Sequence, residues 1–350
     1  MDHKQKKLLS NPQLIRKLAW LLFLIIAILG LVASGAFAST PRTSAVKKIE
    51  STSIGTSSES IATTTILEVS QVSNSTPQAS SSFIGPVNRV QIGSTFIAYR
   101  QFGTGPNLIL LNDAGESMDS WGLSLLSALA NSYKVTTIDY PGVGYSTDNL
   151  SKPMTVNWIA SKLATLITET NIQSPIIAGS GFGGEVAIAI SEAHPKLIKS
   201  LILVGTSPGS SSAYQDSAAQ IQQQYGTATT YEERFQAMFP ASAQNQLNSF
   251  LDPTNLLGIE PILNSTLNRE LQAQQAVDAS NNLLNSLSEI KSKCLVLVGD
   301  KDTIMPEQDS NLLISGLLTA TKVVMPGYGH AIMQQNPTVF MQQLSNFLNS

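Results

Sequence analysis

The chain has 350 residues, 42% of them apolar, with a formal charge of −3 and only 13% charged residues. That apolar share can build a large core, which excludes disorder throughout, and the slight acidity argues against nucleic acid as the main partner. A single cysteine rules out a disulfide framework and any cysteine-based zinc site, and three histidines (His3, His194, His330) leave little room for a histidine metal cluster.

The amino-terminal stretch 1–17 carries Lys4, Lys6, Lys7, Arg16 and Lys17 against Asp2, a charge of +4. Leu18 to Ala38 follow without a charge. As a helix at ~1.5 Å per residue this stretch is about 32 Å long, enough to span a hydrocarbon core of about 30 Å. Basic residues before it place 1–17 in the cytoplasm and the rest outside. Residues 18–38 therefore read as a transmembrane signal-anchor. A cleaved signal peptide is the alternative, since Ala36-Phe37-Ala38 suits a signal peptidase, and the folded part is then secreted. Residues 39–86 are rich in Ser and Thr with Phe83 as the sole aromatic, so they form no core and read as a disordered linker.

From Arg89 short apolar runs alternate with helical patterns. Strands are expected at Arg89–Ile92, Phe96–Arg100, Leu108–Leu111, Val135–Asp139, Ile176–Gly179, Leu201–Val204, Leu295–Val298 and Lys322–Met325. Helices are expected at Ser120–Ala130, Val156–Thr170, Gly183–Ala193, Glu307–Leu317 and Thr338–Asn349. Continuous apolar strands in β-α alternation imply a mostly parallel eight-stranded sheet flanked by helices, with ligands at the carboxyl ends of its strands. A Gln- and Asn-rich insert, 209–286, interrupts the core (87–208 and 287–350) and reads as a helical cap. Its helical patches are Ala218–Tyr225, Tyr231–Met238 and Asn268–Leu284. Tyr225, Phe235, Met238 and Phe239 either pack the cap or line a pocket beneath it. Cys294 reads as a small core residue.

Five loops in order now carry a resemblance. Leu110-Leu111-Asn112-Asp113-Ala114-Gly115-Glu116-Ser117 precedes Trp121, and Asp139-Tyr140-Pro141-Gly142-Val143-Gly144-Tyr145-Ser146 follows the fourth strand. Ile177-Ala178-Gly179-Ser180-Gly181-Phe182-Gly183-Gly184 follows the fifth, then Gly299-Asp300-Lys301-Asp302 with Pro306, and Gly327-Tyr328-Gly329-His330. Over roughly 88–349 the chain resembles the α/β-hydrolase family. The resemblance implies a nucleophile on a strand–turn–helix elbow, an acid and a histidine in that chain order, and a backbone oxyanion hole. It assigns the acid to Asp302, the base to His330 and the hole to the N–H groups of Ala114 and Phe182.

The elbow departs from the family pattern. Aligning the glycines puts Gly181 at the nucleophile position, where no acyl-enzyme can form. A register shifted by one offers Ser180 as fallback nucleophile, but it sets Phe182 where the turn demands a small residue. The family's His-Gly after the third strand is replaced by Asn112-Asp113. A carboxylate there opposes oxyanion stabilisation if it points inward and matters little if it points outward. The same glycines also satisfy G-x-G-x-x-G, but after the fifth strand rather than the first, and no acidic residue ends the next strand at Val204-Gly205-Thr206.

The resemblance with its vacated elbow implies a degenerate, pseudo-hydrolase that binds a small apolar ligand or a protein partner in the inherited cleft. The alternative is an active hydrolase of small ester or amide substrates, using Ser180 or a water activated by His330–Asp302. A purely structural envelope component is a third reading. No cofactor or metal is implied.

Overall fold

The computed structural model describes residues 83–148, 153–209, 230–258, 262, 264–280 and 282–350. The basic tail, the 18–38 segment, nearly all of the linker and the Ala218–Tyr225 patch lie outside the described residues. Among the described residues no helix is long and apolar enough to cross a membrane.

In chain order the elements are β1 (Asn88–Ile92), β2 (Thr95–Phe102), β3 (Asn107–Leu111), α1 (Leu123–Ala130), β4 (Lys134–Ile138) and α2 (Val156–Glu169). Then come β5 (Ile176–Ser180), α3 (Phe182–Ala193), β6 (Ser200–Val204), α4 (Tyr231–Met238), α5 (Gln244–Phe250), α6 (Asn264–Ser280) and α7 (Asn282–Ser286). The chain closes with β7 (Lys293–Gly299), α8 (Glu307–Gly316), β8 (Ala320–Met325), α9 (Ile332–Gln335) and α10 (Pro337–Leu348).

All eight strands form one sheet in the order β1-β2-β4-β3-β5-β6-β7-β8. β1 and β2 form an antiparallel hairpin, β2 runs antiparallel to β4, and every other pairing is parallel. Alternation along β3 shows how both faces are filled. Ile109 and Leu111 join a core that takes in α2 and α3, while Leu108 and Leu110 join another packed by α1 and α10. Every residue of β5 and β6 is buried, which is why those strands read as unbroken apolar runs rather than alternating ones.

The helix ends follow local chemistry. Thr155 Oγ1 accepts from Trp158 N at the start of α2, and Asn336 accepts from Val339 N ahead of α10, whose first turn holds Pro337. His194 ends α3 immediately before Pro195, whose ring disfavours a helical residue ahead of it. Helix α1 starts at Leu123 rather than Ser120, because Gly122 takes φ 76° and breaks the run.

Three differences from the sequence expectation stand out. Phe83, placed in the linker, packs edge-on against Phe102 at 5.9 Å, and the Gly85 carbonyl accepts from Arg100, so tertiary contacts begin before residue 87. Helix α5 has no clean apolar period, yet it buries Leu247 and Phe250. The long cap helix is already formed at Asn264, four residues ahead of the expected Asn268, and helix is described over Asn264–Ser280 and Asn282–Ser286.

Within the cap, α4 opens with a reciprocal box in which Thr230 Oγ1 accepts from Glu233 N and the Glu233 carboxylate accepts from Thr230 N. Its apolar side meets α5 ring to ring, with Phe235–Phe250 at 4.6 Å and Tyr231–Phe250 at 6.4 Å, and Phe239 just past α4 lies 5.9 Å from Phe250. Phe235, Met238 and Phe239 therefore serve as cap core, each burial contributing about 1.5–3 kcal/mol. Tyr225 lies outside the described residues.

Candidate active site

The carboxyl ends of β3, β5, β6, β7 and β8 converge on one point. Asp302 follows β7, and its Oδ1 accepts from the backbone N–H of both Ile304 and Met305 at 2.9 Å. Those two bonds fix the carboxylate so that Oδ2 meets His330 Nδ1 at 2.8 Å. His330 is held in turn by its own N–H donating to the Met238 carbonyl at the end of α4. Gln335 braces the loop before it, accepting from Gly329 N and donating to Gly327 O. Gly205, at the end of β6, lies so close that an added Cβ would sit 2.8 Å from His330 Nδ1 and 3.0 Å from Asp302 Oδ2.

Gly181 forms the turn between β5 and α3 with φ 50° and ψ −117°, a region where a side chain is strained. Its N–H donates to Val204 O and its carbonyl accepts from Gly184 N, so the bend is tight. Gly183 packs against the Leu111 carbonyl, which brings the start of α3 against the end of β3. Ser180 is the last residue of β5 and is buried.

What faces the imidazole is a carboxylate from another strand. Asp113, two residues past the end of β3, points inward, with Oδ2 3.0 Å from His330 Nε2. Its Oδ1 accepts from the N–H of Ala114 at 2.8 Å and of Phe182 at 2.9 Å. A Cβ built on Gly181 would overlap this carboxylate, lying 2.6 Å from Oδ2 and closer still to Oδ1 and Cγ. The bare glycine and the inward carboxylate thus share one space, and only one of them can carry side-chain atoms there.

The structure therefore brings together Asp302, His330, Gly181, Ala114 and Phe182. It does not bring Ser180 to the histidine, whose two ring nitrogens are both taken by carboxylates. Nor is the space left by Gly181 open for a water, because Asp113 fills it. In this arrangement Asp113, rather than Ser180 or a water beside Gly181, faces Nε2. The same contacts settle the orientation of Asp113, which sequence left open.

Charge follows from this packing. Burial works against ionising Asp113, but the hydrogen bond and charge of His330, with the N–H groups of Phe182 and Ala114, outweigh it and hold the carboxyl below its usual range. Burial likewise disfavours a charged His330, yet Asp302 and Asp113 on either side keep it protonated well above an ordinary histidine. Two further acids stand close enough to sense that charge. Burial, reinforced by the negative charge of Asp113, pushes both Glu116 and Glu270 up to about 8. Near neutral pH the site is an anion–cation–anion row beside two uncharged carboxyls.

The cap reaches this row through Gly115. Glu270 Oε2 on α6 accepts from Gly115 N at 2.9 Å, and Arg234 Nη1 on α4 donates to Gly115 O at 2.8 Å. Gln274 on α6 donates to Glu185 in the first turn of α3 at 2.9 Å. Glu116, Glu270, Arg234 and Gly205 were not legible as site residues. Their importance depends on which loop and cap helix fold over the elbow, and no local pattern records that.

Sheet order, elbow, acid turn and terminal histidine loop together describe a hydrolase scaffold, and residues 106–337 match the profile of the alpha/beta hydrolase fold. The chain belongs to the α/β-hydrolase family. It is 28% identical over 255 residues to a putative carbamate hydrolase, RutD, of Pseudomonas savastanoi pv. phaseolicola, spanning 71% of this chain and 96% of the relative. It is 25% identical over 270 residues to pyrrolizixenacetamide deacetylase of Xenorhabdus hominickii, spanning 75% and 98%. Among solved structures, an alpha/beta hydrolase fold protein from Chitinophaga pinensis superposes with a TM-score of 0.64 at 20% identity, covering 76% of this chain and 98% of that one.

Proposed function

We propose that this chain is a pseudo-serine-hydrolase, a family member that no longer forms an acyl-enzyme at its elbow and receives a small, mostly apolar molecule in the inherited cleft. The observation that carries the reading is the Asp113 carboxylate lying in the N–H pair of Ala114 and Phe182 and against His330 Nε2. An acyl transfer needs both places for itself, one for the developing oxyanion and one for the attacking hydroxyl. Loss of a serine nucleophile lowers turnover on the order of 10⁶-fold, or about 8 kcal/mol of barrier, and a fixed anion in the hole adds to that. The rings of Tyr140 and Phe182, packed edge to face at 5.8 Å, and Leu267 against Gly115 supply the apolar surroundings.

In the same reading, 18–38 anchors the protein in a membrane, with 1–17 cytoplasmic and the folded part outside. The uncharged stretch behind a basic tail supports this. A serine-reactive fluorophosphonate applied to the full chain should label nothing in the cleft, and activated esters should not turn over above buffer. Labelling of Ser180 would end the reading. For the anchor, a carboxyl-terminal tag should be digested by protease added to intact cells, and its protection would reverse the orientation.

A further inference from the structure

Cap and body meet again around a cavity of about 440 Å³ whose walls are almost wholly neutral and polar. Nine of its eleven lining residues end in a carboxamide, a hydroxyl or a carboxylate, against Phe250 and Pro337. The cap gives Asn245 and Gln246 on the exposed side of α5 and Asp252 from the loop after it, while the body gives Ser124 on α1 and Gln334 on α9. Two further carboxamides are already committed and hold the wall in shape. Asn255 accepts from Ser124 N at 2.8 Å and donates to Phe250 O at 2.9 Å, and Gln335 braces the histidine loop. Gln334 is different. It is only 5% exposed, yet its Oε1 is a buried oxygen with no hydrogen-bond partner among the described residues. An unpaired buried acceptor costs stability, which a donor brought by a ligand restores. Rotation about χ3, broad and roughly two-fold in glutamine, turns either end of this carboxamide toward the cavity.

We propose that this cavity binds a neutral saccharide, of mono- or disaccharide size, that bridges the cap and the body. The volume lies within the roughly 300–1,000 Å³ of small-molecule sites. Charge selects first. Asp252 is the only acidic side chain on the wall and repels an anion, and no lysine or arginine lines the cavity to receive one. A single carboxylate in open solvent, with one oxygen already accepting from Thr254 N and Oγ1, holds a simple cation weakly. An apolar molecule would strip water from carboxamides and hydroxyls without replacing its hydrogen bonds. Peptides are received on a sheet edge, in an apolar groove or by an arginine cluster, and these helix and loop walls offer none of them. A saccharide brings adjacent hydroxyls, each both donor and acceptor, which meet the paired oxygen and nitrogen of a carboxamide. None of Asp113, Gly181, Asp302 or His330 lines the cavity, so the proposal does not rest on the preceding reading.

The full chain, in a detergent without a sugar headgroup, is to be titrated with maltose, cellobiose and N,N′-diacetylchitobiose by saturation-transfer NMR. At least one should bind saturably with a dissociation constant of about 1 mM or lower. Glucuronate should bind about 3-fold more weakly than glucose, and Asp252→Asn, which leaves an acceptor for Thr254, should erase that difference. Asn245→Ala and Gln246→Ala, both exposed, should each lower disaccharide affinity about 3- to 10-fold, as loss of one neutral hydrogen bond does. Gln334→Met, which removes the carboxamide at nearly constant volume, should lower it about 10-fold. Cellulose and amylose beads separate the sources: retention reversed by soluble disaccharide marks a glycan chain, and soluble binding without retention marks a free sugar. No saturable binding by any of the disaccharides, or binding that the Asn245 and Gln246 variants leave unchanged, overturns the proposal. So does triserine binding here where the saccharides do not. The exposed α5 variants keep the test decisive even where Gln334→Met fails to fold, and failure here leaves the preceding reading standing.

Discussion

Restoring a hydroxyl to the elbow is the sharpest perturbation the geometry offers, because it should fail alone. The Cβ introduced by Gly181→Ser would overlap the Asp113 carboxylate. The single substitution must therefore evict that side chain from two N–H donors and from His330, leaving a charge buried without its partners. Breaking a buried pair in this way costs about 3–5 kcal/mol. Asp113→Gly alone empties the hole and strips Nε2 of its partner, at a similar cost. Two independent losses would simply add, but the two changes act in one space. In the double variant the new hydroxyl takes the place at Nε2 and the oxyanion hole is free, so the loss should fall to about 3 kcal/mol, the lower end of what one broken pair costs. The non-additivity, about 3 kcal/mol or more, is read from urea unfolding of the wild type, the two single variants and the double variant. Only the double variant should react with fluorophosphonate and cleave activated esters. Additive losses, or esterase activity from Gly181→Ser by itself, would show that Asp113 does not occupy the elbow's space.

Other expectations follow from the same site. The folded-state values of Glu116 and Glu270, about 8, lie above the ordinary 4.5, so the native state binds more protons between those limits and unfolding free energy should fall as pH rises from 5 to 8. His330, raised above 6.5, acts in the same direction over the upper part of that window. Glu270→Gln should flatten the fall by a few kcal/mol, seen in denaturant titrations at pH 5, 7 and 8.5, and an unchanged slope would refute the buried neutral acid. Asp113 works the other way, its stabilisation present above 3.8 and lost as pH drops through its lower folded value. Gly205→Ala should displace the His330–Asp302 pair, costing about 2–4 kcal/mol and broadening the His330 ring resonances, because its Cβ lies 2.8 Å from Nδ1. Gly115→Ala should push Arg234 from the loop and cost about 2 kcal/mol by thermal unfolding, since φ there is +78°.

Periodicity and loop order carried most of the fold. Buried parallel strands read as apolar runs, and each of the eight lies within two residues of its expected place. Where sequence failed, the cause is physical. Helix α5 is held by Phe250 and Leu247 against neighbours far along the chain, so its own pattern shows no period. The pairing of Asp302 with His330 is what the family resemblance implied, and successive parallel strands deliver both loops to one edge. The carboxylate of Asp113 could not be placed that way. Its direction depends on the distant backbone turn at Gly181, which happens to carry no side chain. A χ angle set by such a contact leaves no mark on its own neighbours in sequence.

The grip on Gly115 has a mechanical corollary. Arg234 and Glu270 belong to different cap helices, yet they seize the two sides of the same short backbone stretch, one residue beyond the Ala114 amide. Lifting the lid would tug that amide off its anion. The position of the cap helices and the seating of the Asp113 carboxylate are in this way mechanically joined through a single peptide unit.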